Sequence, residues 1–157
     1  ADTQPPTLTG PERVHRYGLL EGLRLLAADF THDGVRVGVR TYEYATGATE
    51  RSGREMAREQ DIYRIVQESL NNAIKHAHAQ EILVLLDGSD PKQLCLSISD
   101  DGVGFVPESG EETQAGRFGM KTMRERAELM GGSLRVISAP GKGTTVEVMI
   151  PFSEIKQ

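Results

Sequence analysis

The chain has 157 residues, 38% hydrophobic and 26% charged, which fits one ordinary globular domain long enough to bury a real core. A net charge of −5 argues against a nucleic-acid binder working mainly through phosphate contacts. The single cysteine, Cys95, leaves no internal disulfide framework and suits a reducing compartment; no run approaches membrane-spanning length and nothing resembles a secretory signal.

Residues 1–10 are polar and proline-containing and read as a linker or chain end. Residues 11–30 carry a helical stripe of Leu19, Leu20, Leu23, Leu26, Ala27 and Phe30, closed by the turn His32-Asp33-Gly34. Val35, Val37 and Val39 alternate with Arg36, Gly38 and Arg40, the pattern of a half-buried strand over 35–42. Residues 45–53 are small, polar and glycine-bearing, and predict an exposed loop. A long helix then starts near Arg54 and runs to about Ala79. On one of its faces Ile62, Ile65, Val66, Ser69, Leu70, Ala73, Ile74 and Ala77 recur at three- and four-residue steps. Glu68, Asn72, Lys75 and His76 share a neighbouring face.

The run 82–86 is continuously apolar and predicts a buried strand; a turn at Gly88-Ser89-Asp90-Pro91 leads into a second strand over 94–99. Residues 105–116 are acidic and glycine-bearing and predict a long mobile loop. A helix over 119–130, with Met120, Met123, Ala127 and Met130 on one face, stops at Gly131-Gly132. Two last strands, 134–137 and 144–150, flank a glycine turn. Five strands and three helices, several strands being joined by tight turns, imply an α+β two-layer sandwich: one mixed five-stranded sheet with the helices on one face.

Side-chain parity singles out two polar residues. Asp100 continues the inward side of Leu94, Leu96 and Ile98, and Thr144 shares parity with Val146, Val148 and Ile150. A carboxylate aimed at a core needs a hydrogen-bonding partner. An inward Asp and an inward Thr beside glycines suit the edge of a flat heterocycle, although a turn aspartate and a strand-start threonine are common in their own right. Glycines cluster in Asp100-Asp101-Gly102-Val103-Gly104, Gly116-Arg117-Phe118-Gly119 and Gly141-Lys142-Gly143. Gly119 immediately precedes a predicted helix, whose free N–H groups favour phosphate. The spacing matches neither a Walker phosphate loop nor a Rossmann fingerprint.

Taken in order, these stretches resemble the catalytic ATP-binding domain of bacterial sensor histidine kinases, in the superfamily shared with gyrase, Hsp90 and the MutL mismatch-repair ATPase. The likeness lies towards the nitrate-sensor and DesK-like branch. Residues 68–76 (ESLNNAIKH) look like the N box, and 100–104 (DDGVG) and 116–120 (GRFGM) like the two glycine boxes. Residues 123–127 (MRERA) and 141–145 (GKGTT) complete the set. Arg117 stands where the branch often has histidine, and Met120 where leucine is commoner.

The resemblance implies a Bergerat-type ATP-binding fold, with 11–157 as one ATP-binding catalytic domain. It implies ATP and Mg²⁺ as cofactors. Asp100 would accept from the adenine amine with Thr144 assisting, and Asn72 would hold Mg²⁺ through its amide oxygen. Glu68 would hold a metal-bound water, the preferred role, or polarise the attacking group, and Lys75 and His76 would face the phosphates. Gly102, Gly104, Gly116, Arg117, Phe118, Gly119, Met120, Lys142 and Gly143 would complete the nucleotide site, with 105–116 as lid. The implied catalytic residues are Glu68, Asn72 and Lys75. The implied partners are a histidine-bearing dimerisation domain of the same parent protein and a response regulator, in the cytoplasm, with no nucleic acid and no direct membrane contact. Upstream of the first strand only His15 lies on a predicted helix, with no acid after it, so it makes a poor phosphoacceptor. Two other readings fit the same motifs: a serine kinase of the anti-sigma-factor type, and a non-catalytic nucleotide-sensing interaction module.

Overall fold

Strand periodicity and turn chemistry build the sheet first. In a computed structural model, residues 10–44, 53–105 and 120–152 are described, and they form four helices and five strands. In chain order these are α1 (Glu12–Tyr17), α2 (Leu19–Phe30), β1 (Arg36–Tyr42), α3 (Gly53–Lys75), β2 (Glu81–Asp87), β3 (Gln93–Asp100), α4 (Met120–Leu129), β4 (Ser133–Ser138) and β5 (Thr144–Pro151). The strand order is β1-β2-β3-β5-β4. β1 and β2 are parallel, as a strand–helix–strand connection requires, and the other pairs are antiparallel. The sheet is therefore mixed and five-stranded, as the turns and periods predict.

One face of the sheet is lined by Ile82, Val84 and Leu86, then Leu94, Leu96 and Ile98, then Val146, Val148 and Ile150, all buried. Against it lie the apolar stripes of three helices, with α2 over β1, α3 over β2 and β3, and α4 over β4 and β5. Val14, Leu19, Leu23 and Leu26 join the same core as Ile62, Ile65 and Leu70, so the residues before α3 are part of one hydrophobic unit. Among the described residues, no helix is long and apolar enough to cross a membrane.

Three local departures from the sequence reading have physical causes. The single helix expected over 11–30 is two, parted at Gly18, whose φ of 90° lies outside the helical range. In the sequence the break shows only as Gly18 and a slip of phase, since Val14 and Leu19 are five residues apart and leave the three- and four-residue steps of one helical face. α3 ends at Lys75 rather than near Ala79. The N–H groups of His76 and Ala77 both turn back to the Asn72 carbonyl (3.0 and 3.1 Å), and His78 takes the left-handed conformation at φ 55°. This stop uses no glycine, so the usual signal is missing. β2 is buried on one face only: Leu83 is exposed on the other, where a fully buried strand was expected. Cys95 sits half-buried on that same outer face, its thiol pKa raised by burial.

Candidate functional site

Along one edge α3 carries Glu68, Asn72 and Lys75, with His76 in the turn that follows; the first two are half-buried and the last two exposed. Beside that edge, the end of the sheet presents one row of residues on the helix side. Ile82, Asp100, Thr144 and Ser138 are neighbours in register across β2, β3, β5 and β4. The inward parity of Asp100 and Thr144 is thus as the alternation predicts.

Backbone contacts hold these pieces together. The Asp101 carboxylate accepts from the N–H groups of Gln80 (2.8 Å) and Glu81 (3.0 Å), which keeps its pKa below the usual carboxylate range. Val103 N–H donates to the Ala77 carbonyl (3.0 Å), and a Cβ on Gly102 would lie 2.6 Å from that same oxygen. Only a glycine lets the first glycine segment touch the end of α3. Gly141 N–H donates to the Val103 carbonyl (2.6 Å). Gly143, at φ 77°, passes so close to the Asp100 carbonyl that any Cβ would overlap it. Two glycine stretches far apart in sequence therefore interlock at the tip of α3.

Between them opens a cavity of about 220 Å³. Asn72, Ala73, His76 and Ala77 of α3 and its C-terminal turn form one wall, and Ile98, Asp100, Thr144 and Val146 form the sheet side. Ser69, Val103, Gly104, Phe105 and Met120 complete the lining. Burial raises the Asp100 pKa; hydrogen bonds from the Gly102 and Thr144 amides oppose the shift, the first at 2.8 Å to Oδ1. An apolar slot with one constrained carboxylate suits a flat ring bearing a hydrogen-bond donor.

Of the residues expected to act together, Asn72, His76, Asp100, Gly104, Met120 and Thr144 line this one cavity. Gly102 and Gly143 are buried just behind it and shape it through their backbone contacts. Glu68, Lys75 and Lys142 do not line it. Glu68 lies one helical turn before Asn72 on α3, and Lys75 and Lys142 are exposed. Gly116, Arg117, Phe118 and Gly119, with most of the expected lid, lie outside the described residues. The sequence reading had no reason to pick Ser69, Ala73, Ile98 and Val146 as cavity walls, since their spacing marks them only as inward-facing. The bend at Val103 and Phe105 carries no periodic signal at all.

This chain belongs to the family of histidine kinase-, DNA gyrase B- and HSP90-like ATPases, which it matches over residues 57–154. Its relatives include the sensor histidine kinase LiaS of Bacillus subtilis, 41% identical over 94 residues, covering 60% of this chain and 25% of that protein. The sensor protein VraS of Staphylococcus aureus is 36% identical over 97 residues, covering 61% of this chain and 26% of that protein. The chain thus spans about a quarter of the length of these curated relatives. Among solved structures, the histidine kinase domain of the Erythrobacter litoralis EL346 blue-light activated histidine kinase superposes with a TM-score of 0.65. It is 25% identical and the match covers 88% of this chain and 61% of that one. The ATP binding domain of PrrB from Mycobacterium tuberculosis shares the fold at a TM-score of 0.59 and 21% identity, over 85% of this chain and 90% of that one.

Proposed function

We propose that this chain, from about residue 11 onward, is the ATP-binding catalytic domain of a two-component sensor histidine kinase. In the full parent it passes the γ-phosphate of ATP to a histidine on a separate dimerisation domain, for relay to a response regulator in the cytoplasm. The observation that carries the reading is the meeting of Asn72 and His76 with Asp100 and Thr144 around one cavity, inside the region matched to the ATPase family. Relatives named as sensor kinases favour a histidine acceptor over the serine acceptor of an anti-sigma-factor kinase.

The site's chemistry fits its proposed occupant. The apolar walls and the half-buried carboxylate suit an adenine ring whose exocyclic amine donates to Asp100. Asn72 and Glu68, one helical turn apart, offer an amide oxygen and a carboxylate, hard donors that match Mg²⁺. Bound Mg²⁺ would supply charge neutralisation on the phosphates. Such an ion takes one or two protein ligands and fills its shell with phosphate and water, so it needs no dedicated protein cage. Asn72 would hold the ion directly and Glu68 through a water. His76 at the cavity, with Lys75 and Lys142 next in sequence to His76 and Gly143, would place positive or donor groups towards the triphosphate. Gly116, Arg117, Phe118 and Gly119 would close over it.

The test is calorimetric titration with ATP and ADP, with and without Mg²⁺, followed by labelled ATP and the parent's dimerisation domain supplied as a separate protein. Acid-labile phosphate on that domain supports the proposal. Acid-stable phosphoserine on a partner would move the reading to the serine-kinase type. Binding without transfer to a competent acceptor would leave a nucleotide-sensing module.

A further inference from the structure

No sequence motif singles out Ser138, the last residue of β4, and it does not line the cavity. Yet it stands directly beside Thr144 in the sheet, and its hydroxyl meets three partners. Phe105 N–H lies at 2.9 Å, the Gly143 carbonyl oxygen at 3.0 Å and Thr144 Oγ1 at 2.8 Å. A serine hydroxyl has one proton to give and two lone pairs. A backbone amide can only donate and a carbonyl can only accept. Ser138 therefore takes a proton contact from Phe105 and gives its own proton to Gly143. What remains towards Thr144 is a lone pair, so the Thr144 hydroxyl donates to Ser138. Thr144 Oγ1 is then left with lone pairs alone to offer the cavity that Thr144 lines. Its neighbour across the sheet is the Asp100 carboxylate, a second acceptor.

We propose that Ser138 is a specificity-determining positioning residue of the nucleotide site. By taking the Thr144 proton, it makes the polar end of the cavity a pair of acceptors. That end selects a purine with an amino group at C6 over one with a carbonyl there. The inference rests on the reading that the cavity binds a purine nucleotide. It goes further by assigning base selectivity to a residue that never touches the base. Rejection of a carbonyl follows from setting two acceptors against a third, which leaves a buried polar group unpaired.

The experiment is calorimetric titration of ATP and inosine triphosphate, with Mg²⁺, into the chain and into Ser138→Ala. The native chain prefers ATP. In Ser138→Ala the Thr144 proton is released to face the cavity, and the ATP-to-inosine-triphosphate affinity ratio falls about tenfold, the worth of one mispaired buried group. Ser138→Thr keeps a hydroxyl at this position and restores the ratio. In a Thr144→Val background, Ser138→Ala no longer changes it. A ratio unchanged in Ser138→Ala overturns the inference, as does equal weakening of both nucleotides, and in both cases ATP binding by the native chain leaves the nucleotide reading standing. A folded native chain that binds neither nucleotide removes both. If Ser138→Ala does not fold, Ser138→Cys takes its place. The thiol is a poor donor and a poor acceptor, so the same ratio falls several-fold, and an unchanged ratio overturns the inference.

Discussion

Replacing Asp100 by Asn should separate stability from binding, with opposite signs. Asp100 is a carboxylate at the end of an apolar face, and its pKa is raised, chiefly by burial. A raised carboxylate pKa means the folded state disfavours the charge. At neutral pH the group therefore costs stability, and that cost is relieved as pH falls through the folded pKa. Asparagine removes the charge and keeps the shape. Its Oδ1 can still accept from the Gly102 N–H at 2.8 Å, so the turn survives. That choice fixes the rest of the side chain: the amide nitrogen takes the place of Oδ2. A donor then stands where the proposed adenine amine needs an acceptor. Losing a hydrogen bond to a charged group costs about 1.5–3 kcal/mol, and opposing two donors pushes the loss to the upper half of that range. The expected outcome is ATP binding weakened by about 40- to 150-fold. The ligand-free variant should melt at or above the temperature of the native chain. Calorimetric titration and thermal unfolding without nucleotide read the two effects separately. ATP affinity within about threefold of native would refute the placement of adenine, since no charged hydrogen bond is worth so little. A lower melting temperature would show that the hydrogen bonds from the Gly102 and Thr144 amides to the carboxylate outweigh the cost of burying it.

Three further outcomes follow from the geometry around the cavity. Gly143→Ala must place a methyl group into the Asp100 carbonyl at φ 77°, and should cost about 2–4 kcal/mol in denaturant unfolding, well above the penalty of the left-handed conformation alone. Asp101 has a depressed pKa because the Glu81 and Gln80 amides donate to it, so its stabilisation is present above the unfolded carboxylate value and is lost as pH falls through the lower folded one. Asp101→Ala should remove about 1 kcal/mol at pH 7, and the gap to native should close below about pH 4, as melts across pH will show. Arg13 is buried, donates to Asp29 (2.8 Å) and lies 3.3 Å from the Tyr63 hydroxyl. Because the Asp29 side chain is 53% exposed and can rehydrate, Arg13→Ala should cost nearer 2 than 4 kcal/mol, measured by urea unfolding.

What could be read from the sequence depended on whether a structural feature leaves a periodic trace. The strands and the inward parity of Asp100 and Thr144 were legible because alternation fixes which way a side chain points, whatever the tertiary context. The apolar stripes of α2, α3 and α4 were legible for the same reason at the helical period. Breaks made without their usual residues were not. The end of α3 is closed by His78 in a left-handed conformation, with no glycine to announce it. The candidate site divides along the same line. Asp100 stands out as a polar residue where the pattern calls for an apolar one, and Asn72 as one of a polar set sharing a helix face, whereas Ile98 and Val146 look like any other inward position.

Ser138 shows where that kind of reading stops. As the last residue of a short strand beside a glycine turn, it is what a strand end ordinarily contains. It matters only because register brings it beside Thr144, while the close packing of two glycine stretches brings Phe105 and Gly143 to the same hydroxyl. Each of those contacts fixes which way a proton points, and spacing along the chain holds no information about proton direction. Recognition of a base edge depends on that direction. A site can therefore be located from sequence motifs while the polarity that sets its selectivity becomes readable only in three dimensions.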